Sequence, residues 1–271
     1  MKPDRLGEDC YLSRLNMQNI PQHVAVIMDG NGRWAQQRRM PRVLGHRKGA
    51  DRVREIVETC GKLKIKALTL FAFSEENWQR PSEEVNVIMR LLNVYLEKEK
   101  ASLHKNNVHL KTIGNLSRLP EANQKLIAEC VKHLAGNTGL TLTLALSYGG
   151  RSEMVAATKK ISEKVAAGDI NVEDIDESLV NCFMESSALP PLDLLIRTSG
   201  EQRISNFLLW QLAYAELFFT SVLWPDFASE DLYEALVSFQ SRQRRYGKVS
   251  TKDDPTFTAA AVLEQQRATL L

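Results

Sequence analysis

"HVAVIMDGNGRWA", residues 23–35, begins with an unbroken apolar run from Val24 to Met28, then meets an aspartate, two glycines and an arginine within five positions. A continuous apolar run of this length reads as a strand covered on both faces, as in a parallel sheet. In open α/β sheets ligands collect at the carboxyl ends of the strands. The loop Asp29-Gly30-Asn31-Gly32-Arg33 would therefore stand at such an end.

Five further strand-like runs follow: 67–73 (ALTLFAF), 108–113 (VHLKTI), 140–147 (LTLTLALS), 192–197 (LDLLIR) and about 217–223 (LFFTSVL). Helical stretches are expected at 46–62, 83–104, 120–135, 151–167, 173–184 and 229–245. In 83–104, Val85, Ile88, Met89, Leu92, Leu96 and Leu103 share one face. The alternation predicts an α/β fold, one domain with a mainly parallel sheet flanked by helices. Residues 1–18 and 248–271 are polar or irregular and read as peripheral, leaving 19–247 as the domain.

Charge is balanced, with 35 Lys and Arg against 33 Asp and Glu and a net charge of +2. The molecule is no polycation, so a general nucleic-acid or membrane-surface role is not implied. The basic residues cluster, however: Arg33, Arg38, Arg39, Arg42, Arg47, Lys48, Arg52 and Arg54 share the stretch 33–54 with Asp51 as its single acid. A local anion site is the economical reading. RNA binding would want interleaved aromatics, and the stretch offers only Trp34.

The four cysteines are widely spaced, which suits a reducing cytosol and argues against structural zinc. The stretch 206–224 imitates a membrane span, but Gln211 and Glu216 interrupt it, and a mid-bilayer carboxylate costs about 2.5–3.5 kcal/mol. It reads as core, part helical and part β.

Four loops leave candidate strand ends: 29–34 (DGNGRW), 74–80 (SEENWQR), 148–151 (YGGR) and 197–205 (RTSGEQRIS). Gly30 and Gly32 let backbone N–H groups approach an anion at the start of a helix. The match to G-x-G-x-x-[GA] is weak, because the acid required about 20 residues on, at the end of the next strand, is missing; that strand ends near Phe73. Asp29 is either a turn residue or a partner for a divalent cation. A carboxylate repels a phosphate unless a cation lies between them, and Mg²⁺ is commonly held by one or two carboxylates plus substrate phosphates. Arginines such as Arg197 and Arg203 clamp phosphate oxygens and keep their charge at any working pH. His23, opening its strand, reads as a satisfied core or edge histidine rather than a ligand.

Together with "GHRKGA" (45–50), "LTLFAFSEENWQRP" (68–81), "GNTGL" (136–140), "SYGGR" (147–151), "DLLIRTSGEQRISNFLLWQLAYAELFF" (193–219) and "LWPDF" (223–227), the opening stretch resembles the cis-prenyltransferases. The bacterial members that form undecaprenyl diphosphate are the nearest match, and the resemblance runs over about residues 20–247. It implies a homodimer with a six-stranded parallel sheet and a hydrophobic tunnel. The implied reaction is Mg²⁺-dependent condensation of isopentenyl diphosphate onto an allylic starter, farnesyl diphosphate, in the cytoplasm. The paired D-D-x-x-D motifs of the all-helical trans-prenyltransferases are absent.

The resemblance also implies site roles. Asp29 would hold Mg²⁺. Gly30, Asn31, Gly32 and Arg33 would cradle the allylic diphosphate, helped by Arg42 and His46. Trp34, Ser74, Glu75, Glu76, Trp78 and Arg80 would line the substrate region. Arg197, Arg203, Ile204 and Ser205 would hold isopentenyl diphosphate, and Glu216 would be a second metal ligand, serving the neighbouring site of a dimer. Asn77 occupies the position proposed to take or relay the proton; a carboxamide is barely basic, so orientation of a water or diphosphate oxygen suits it better. Arg245-Tyr246-Gly247 matches a carboxyl-terminal R-x-G. Ala72 is expected at the tunnel mouth, with Leu92, Leu96 and Leu140 deeper in its wall. The alternative is a non-catalytic partner subunit or anion-binding module of the same fold.

Overall fold

The structure is a computed structural model that describes residues 8–242. Two compact units, Met1–Gln240 and Ser241–Leu271, divide the chain, and the fold below is that of the first. Arg245, Tyr246 and Gly247 lie outside the described residues.

In chain order the main elements are α1 (Glu8–Arg14), β1 (His23–Ile27), α2 (Asn31–Gln37), α3 (Arg42–Lys62), β2 (Ala67–Ser74), α4 (Ser82–Lys105), β3 (His109–Ile113), α5 (Glu121–Leu134), β4 (Thr141–Tyr148), α6 (Gly150–Ala166), α7 (Glu177–Phe183), β5 (Leu194–Arg197), β6 (Glu216–Phe219) and α8 (Ser229–Gln240). All six strand-like runs of the sequence become strands. Their order is β3-β4-β2-β1-β5-β6, and every neighbouring pair is parallel.

Alternation along the strands sends side chains to two cores. Val24 and Val26, Leu68 and Leu70, Leu142 and Leu144, and Leu194 and Ile196 face the larger one, with residues of α3, α4, α5 and α8. Ala25, Ile27, Ala145 and Leu195 face the smaller, where Phe71 stacks on Phe207 at 4.3 Å. All five residues of β1 are buried, because it lies inside the sheet with helices over it. That explains its unbroken apolar run.

Some boundaries differ from the sequence reading. The helix expected from 46 begins at Arg42, directly after Pro41, whose ring pre-sets the backbone entering the first turn. The helix expected from 173 begins at Glu177, where Asp176 accepts the N–H of Leu179 at 2.7 Å. The strand expected over 217–223 is confined to Glu216–Phe219, and the helical half of 206–224 shrinks to one 3₁₀ turn, Gln211–Tyr214. Among the described residues no helix is long and apolar enough to cross a membrane.

The register positions the site. Ile27 pairs with Phe71 on β2 and with Arg197 on β5. The loops after β1, β2 and β5 therefore open on one rim. The connection from β1 goes to β2 and that from β5 goes to β6, on opposite sides, so the β1/β5 boundary is the switch point of the sheet.

His23 is 1% exposed and satisfied. Its Nδ1–H donates to the Pro190 carbonyl at 2.9 Å, so Nε2 accepts from the Thr69 hydroxyl at 2.7 Å. Burial pushes its pKa down from 6.5 against that bond and the Asp193 charge. The unfolded chain takes up a proton that the folded imidazole refuses, so stability falls as pH drops from about 6.5 toward the depressed folded value. His23→Gln is expected to lose stability less steeply across that window in urea unfolding at stepped pH. A slope equal to that of the unmodified chain would show that His23 does not titrate this way.

Candidate active site

Gly30 turns the chain off β1 at φ 104°, in the left-handed region, and its N–H donates to Asp29 Oδ1 at 2.6 Å. A Cβ there would lie 2.9 Å from Leu223 Cδ2. Only glycine accepts both conditions cheaply. A side chain at Gly32 would come within 2.8 Å of the Arg42 guanidinium, so this glycine keeps a place for that cation.

Beside the turn, Asp29 Oδ2 accepts from Arg197 Nη2 at 2.9 Å and pairs with Arg33 at 3.2 Å. Thr198 Oγ1 receives the Asp29 N–H at 2.9 Å. Arg197 is 4% exposed and also donates to Ser205 Oγ at 2.6 Å and to the Arg203 carbonyl. Arg33 reaches Glu201 at 3.0 Å, and Glu201 also pairs with Arg203. A third carboxylate organises the opposite wall. Glu84, in the first turn of α4, meets Arg80 at 3.1 Å, Arg42 at 3.2 Å and His46 at 3.3 Å.

These groups line a cleft of about 820 Å³ that takes in Asp29, Gly30, Asn31, Gly32, Arg33, Arg42, His46, Ser74, Glu76, Asn77, Arg80, Arg197, Arg203 and Ser205. Five expected residues do not line it. The Trp34 indole donates to Asp226 at 2.9 Å under the Arg38 guanidinium, and the Trp78 indole donates to Ser147 at 2.9 Å. Glu75 receives the Ser152 hydroxyl. Ile204 packs on the smaller core. Glu216 opens β6 level with Leu194, at the other end of the strands from Asp29. Glu84 and Glu201, which hold the basic residues, were not among the expected site residues.

Asn77 accepts the Ser74 N–H on its Oδ1 at 3.2 Å, which leaves its amide N–H donors for a ligand. An apolar cavity of about 130 Å³ continues from the cleft between α3, α4 and the sheet; Met28, Asn31, His46, Phe71, Ala72 and Ile88 border both. Ala72 and Leu92 line it, as expected of a tunnel. Leu96 and Leu140 do not: they are 1% and 4% exposed and packed in the larger core.

Burial pushes the Asp29 carboxyl up, but the Arg197 hydrogen bond and the charges of Arg33 and Arg197 together hold it below the usual range. It is an anion at neutral pH. Burial, with Arg80 and Arg42, pushes His46 down despite Glu84. His46 is therefore neutral at pH 7.

No cluster of three His, Cys, Asp or Glu able to hold a metal occurs among the described residues. The donor set nevertheless fits Mg²⁺ shared with a ligand: Asp29, a cleft-facing carboxylate among arginines, suits an ion whose other ligands are phosphate oxygens and water.

The family model described as "Putative undecaprenyl diphosphate synthase" matches residues 27–247. The chain is 50% identical over 235 residues to a ditrans,polycis-undecaprenyl-diphosphate synthase ((2E,6E)-farnesyl-diphosphate specific) of Vibrio vulnificus, covering 87% of this chain and 94% of that one. It is 49% identical over 243 residues to an isoprenyl transferase of Clostridium perfringens, covering 90% and 96%. Among solved structures, lavandulyl diphosphate synthase from Lavandula x intermedia in complex with dimethylallyl diphosphate superposes with TM-score 0.82 at 38% identity, over 84% of this chain and 99% of that one. A probable undecaprenyl diphosphate synthase from Campylobacter jejuni gives TM-score 0.70 at 33% identity, over 85% and 100%. The chain belongs to this prenyltransferase family.

Glu84 raises the His46 pKa while burial and the two arginines lower it. Glu84→Gln is expected to depress the imidazole pKa further, as read from its NMR resonance across a pH titration. A rise would mean that another group sets the charge of this wall.

Proposed function

We propose that this chain is a Mg²⁺-dependent cis-prenyltransferase that condenses isopentenyl diphosphate repeatedly onto farnesyl diphosphate to give undecaprenyl diphosphate, the precursor of a lipid carrier for cell-wall polysaccharide synthesis. One observation carries the reading: a cleft in which arginines gather around Asp29 opens directly into an apolar cavity bordered by Ala72 and Ile88. A charged head and a growing hydrocarbon need those two environments side by side.

In this reading Gly30, Asn31, Gly32, Arg33, Arg42 and His46 bind the allylic diphosphate, and Arg203 and Ser205 bind isopentenyl diphosphate. Asp29 would hold Mg²⁺, and the bound ion would supply positive charge against the departing diphosphate. Arg33 and Arg42 stabilise the same charge from fixed positions. The isopentenyl double bond forms the new C–C bond as the allylic C–O bond breaks. The proton released from the isopentenyl unit goes to a diphosphate oxygen, which the Asn77 amide orients. Arg197 holds Asp29 and the 203–205 loop in place.

A homodimer in the cytoplasm completes the proposal. The edge position of β6, with Glu216 remote from Asp29 and Tyr214 73% exposed nearby, supports pairing along that edge. The free thiols Cys60, Cys130 and Cys182 suit a reducing compartment. A non-catalytic partner role is disfavoured, because Asp29, Arg33 and Arg197 are held together in one constellation.

Incubation with farnesyl diphosphate, labelled isopentenyl diphosphate and Mg²⁺, followed by chromatography, tests the proposal. A ladder ending in long polyprenyl diphosphates is expected, and no extension at all would refute it. In the same assay Arg203→Ala is expected to raise KM for isopentenyl diphosphate about tenfold or more, since a charge-assisted hydrogen bond contributes about 1.5–3 kcal/mol. KM for farnesyl diphosphate should move little. Equal effects on both would dissolve the division between the two diphosphate pockets.

A further inference from the structure

Helices α3 and α4 run down side by side from the cleft, and the apolar cavity lies between their upper halves. Its wall descends α3 through His46, Gly49, Ala50 and Val53, and α4 through Ile88, Leu91, Leu92 and Tyr95. It goes no deeper along either helix. One turn beyond Tyr95, Glu99 is 4% exposed and receives both arms of the Arg54 guanidinium, with Nε at 2.7 Å from Oε2 and Nη2 on Oε1.

Among the described residues, side-chain hydrogen bonds and ion pairs join α3 to α4 at two levels. One is Glu84 with Arg42 and His46 at the mouth; the other is Glu99 with Arg54. The levels are about 22 Å apart along α4 at 1.5 Å per residue, and they bracket the cavity. Below the lower tie lie the buried apolar side chains Val57 and Cys60 on α3 and Leu103 on α4, while the buried Thr59 of α3 bonds to Ser229 of α8. Asn123 of α5 anchors α4 from its other side, donating to the Met89 carbonyl at 2.8 Å and to Asn93 at 2.7 Å.

Tyr95 marks the closed end. Its ring lines the cavity while its hydroxyl is buried without a hydrogen-bond partner. An unpaired buried hydroxyl is a cost the fold would shed if the helices parted. Burial and the Glu99 charge push its pKa upward against Arg54, which places it in the field of the pair.

We propose that the Arg54–Glu99 pair is a latch across the α3–α4 seam: a growing hydrocarbon that fills the cavity to Tyr95 extends further only when the pair opens, so the pair sets product length. This rests on the chain-elongating function proposed above. A bidentate guanidinium–carboxylate pair with one partner buried resists separation, whereas the apolar contacts beyond it exchange readily for contacts with hydrocarbon.

The test uses the full chain, farnesyl diphosphate, labelled isopentenyl diphosphate and Mg²⁺, with product length and the rate of the first condensation both measured. Arg54→Met combined with Glu99→Met removes the tie without leaving an unpaired charge at the buried Glu99 position. Its products are expected to lengthen by about one isoprene unit or more, with the first condensation changed by less than about twofold. The reversed pair, Arg54→Glu with Glu99→Arg, is expected to bring the distribution back toward that of the unmodified chain, as a restored coupling should. An unchanged distribution in the folded double-methionine variant overturns the latch. So does an equal loss of first and later condensations, or a reversed pair that matches the double-methionine variant. Absence of any extension by the unmodified chain overturns the proposed function itself, a result distinct from these.

Discussion

The site depends on one ion pair between neighbouring strands. Asp29, two residues past the end of β1, is bound by Arg197, the last residue of β5. Arg197 is 4% exposed, and a buried guanidinium left without its counter-charge costs about 3–5 kcal/mol. The pair therefore fixes where the β1 loop can lie. Arg197 Nη1 also donates to Ser205 and to the Arg203 carbonyl, and these bonds tie the β5 loop to the same point. From this centre the left-handed turn at Gly30, the Thr198 contact and the Arg33–Glu201 bridge all follow as geometry.

The consequence is a cleft arranged in charge before any ligand enters. Asp29 and Glu201 satisfy Arg33, Arg197 and Arg203, and Glu84 satisfies Arg42 and Arg80. Three carboxylates thus hold five arginines at fixed positions without letting them repel one another apart. An entering diphosphate would take over part of that role, and Asp29 would then need a cation between itself and the phosphate oxygens. Preorganisation of this kind places the cost of collecting like charges in the folding of the protein rather than in the chemical step.

The sheet was legible because its inner strands are buried on both faces and read as mainly apolar runs, as in Val24–Ile27 of β1 and Leu194–Ile196 of β5. The cleft-lining loops were legible because Gly30, Arg33 and Arg197 have few other reasons to gather at strand ends. Glu84 escaped notice because an acid in the first turn of a helix is an ordinary terminus signal. Trp34 and Trp78 were expected at the cleft, yet their indole N–H groups are spent on Asp226 and Ser147; sequence does not say which acceptor a tryptophan will find. Helical periodicity put Leu92 and Leu96 on one face of α4 without indicating how deep the cavity reaches, so Leu92 lines it and Leu96 is packed core.

The central claim is that Asp29 serves a cation shared with a diphosphate while Arg197 only positions it. Calorimetric titration of farnesyl diphosphate, without isopentenyl diphosphate, into the unmodified chain and Asp29→Asn, each with Mg²⁺ and with a chelator, tests this directly. Mg²⁺ should tighten binding to the unmodified chain about tenfold, or about 1.4 kcal/mol. It should leave Asp29→Asn unaffected, and with chelator that variant should bind at least as tightly as the unmodified chain. The same Mg²⁺-dependent gain in both proteins would contradict the account.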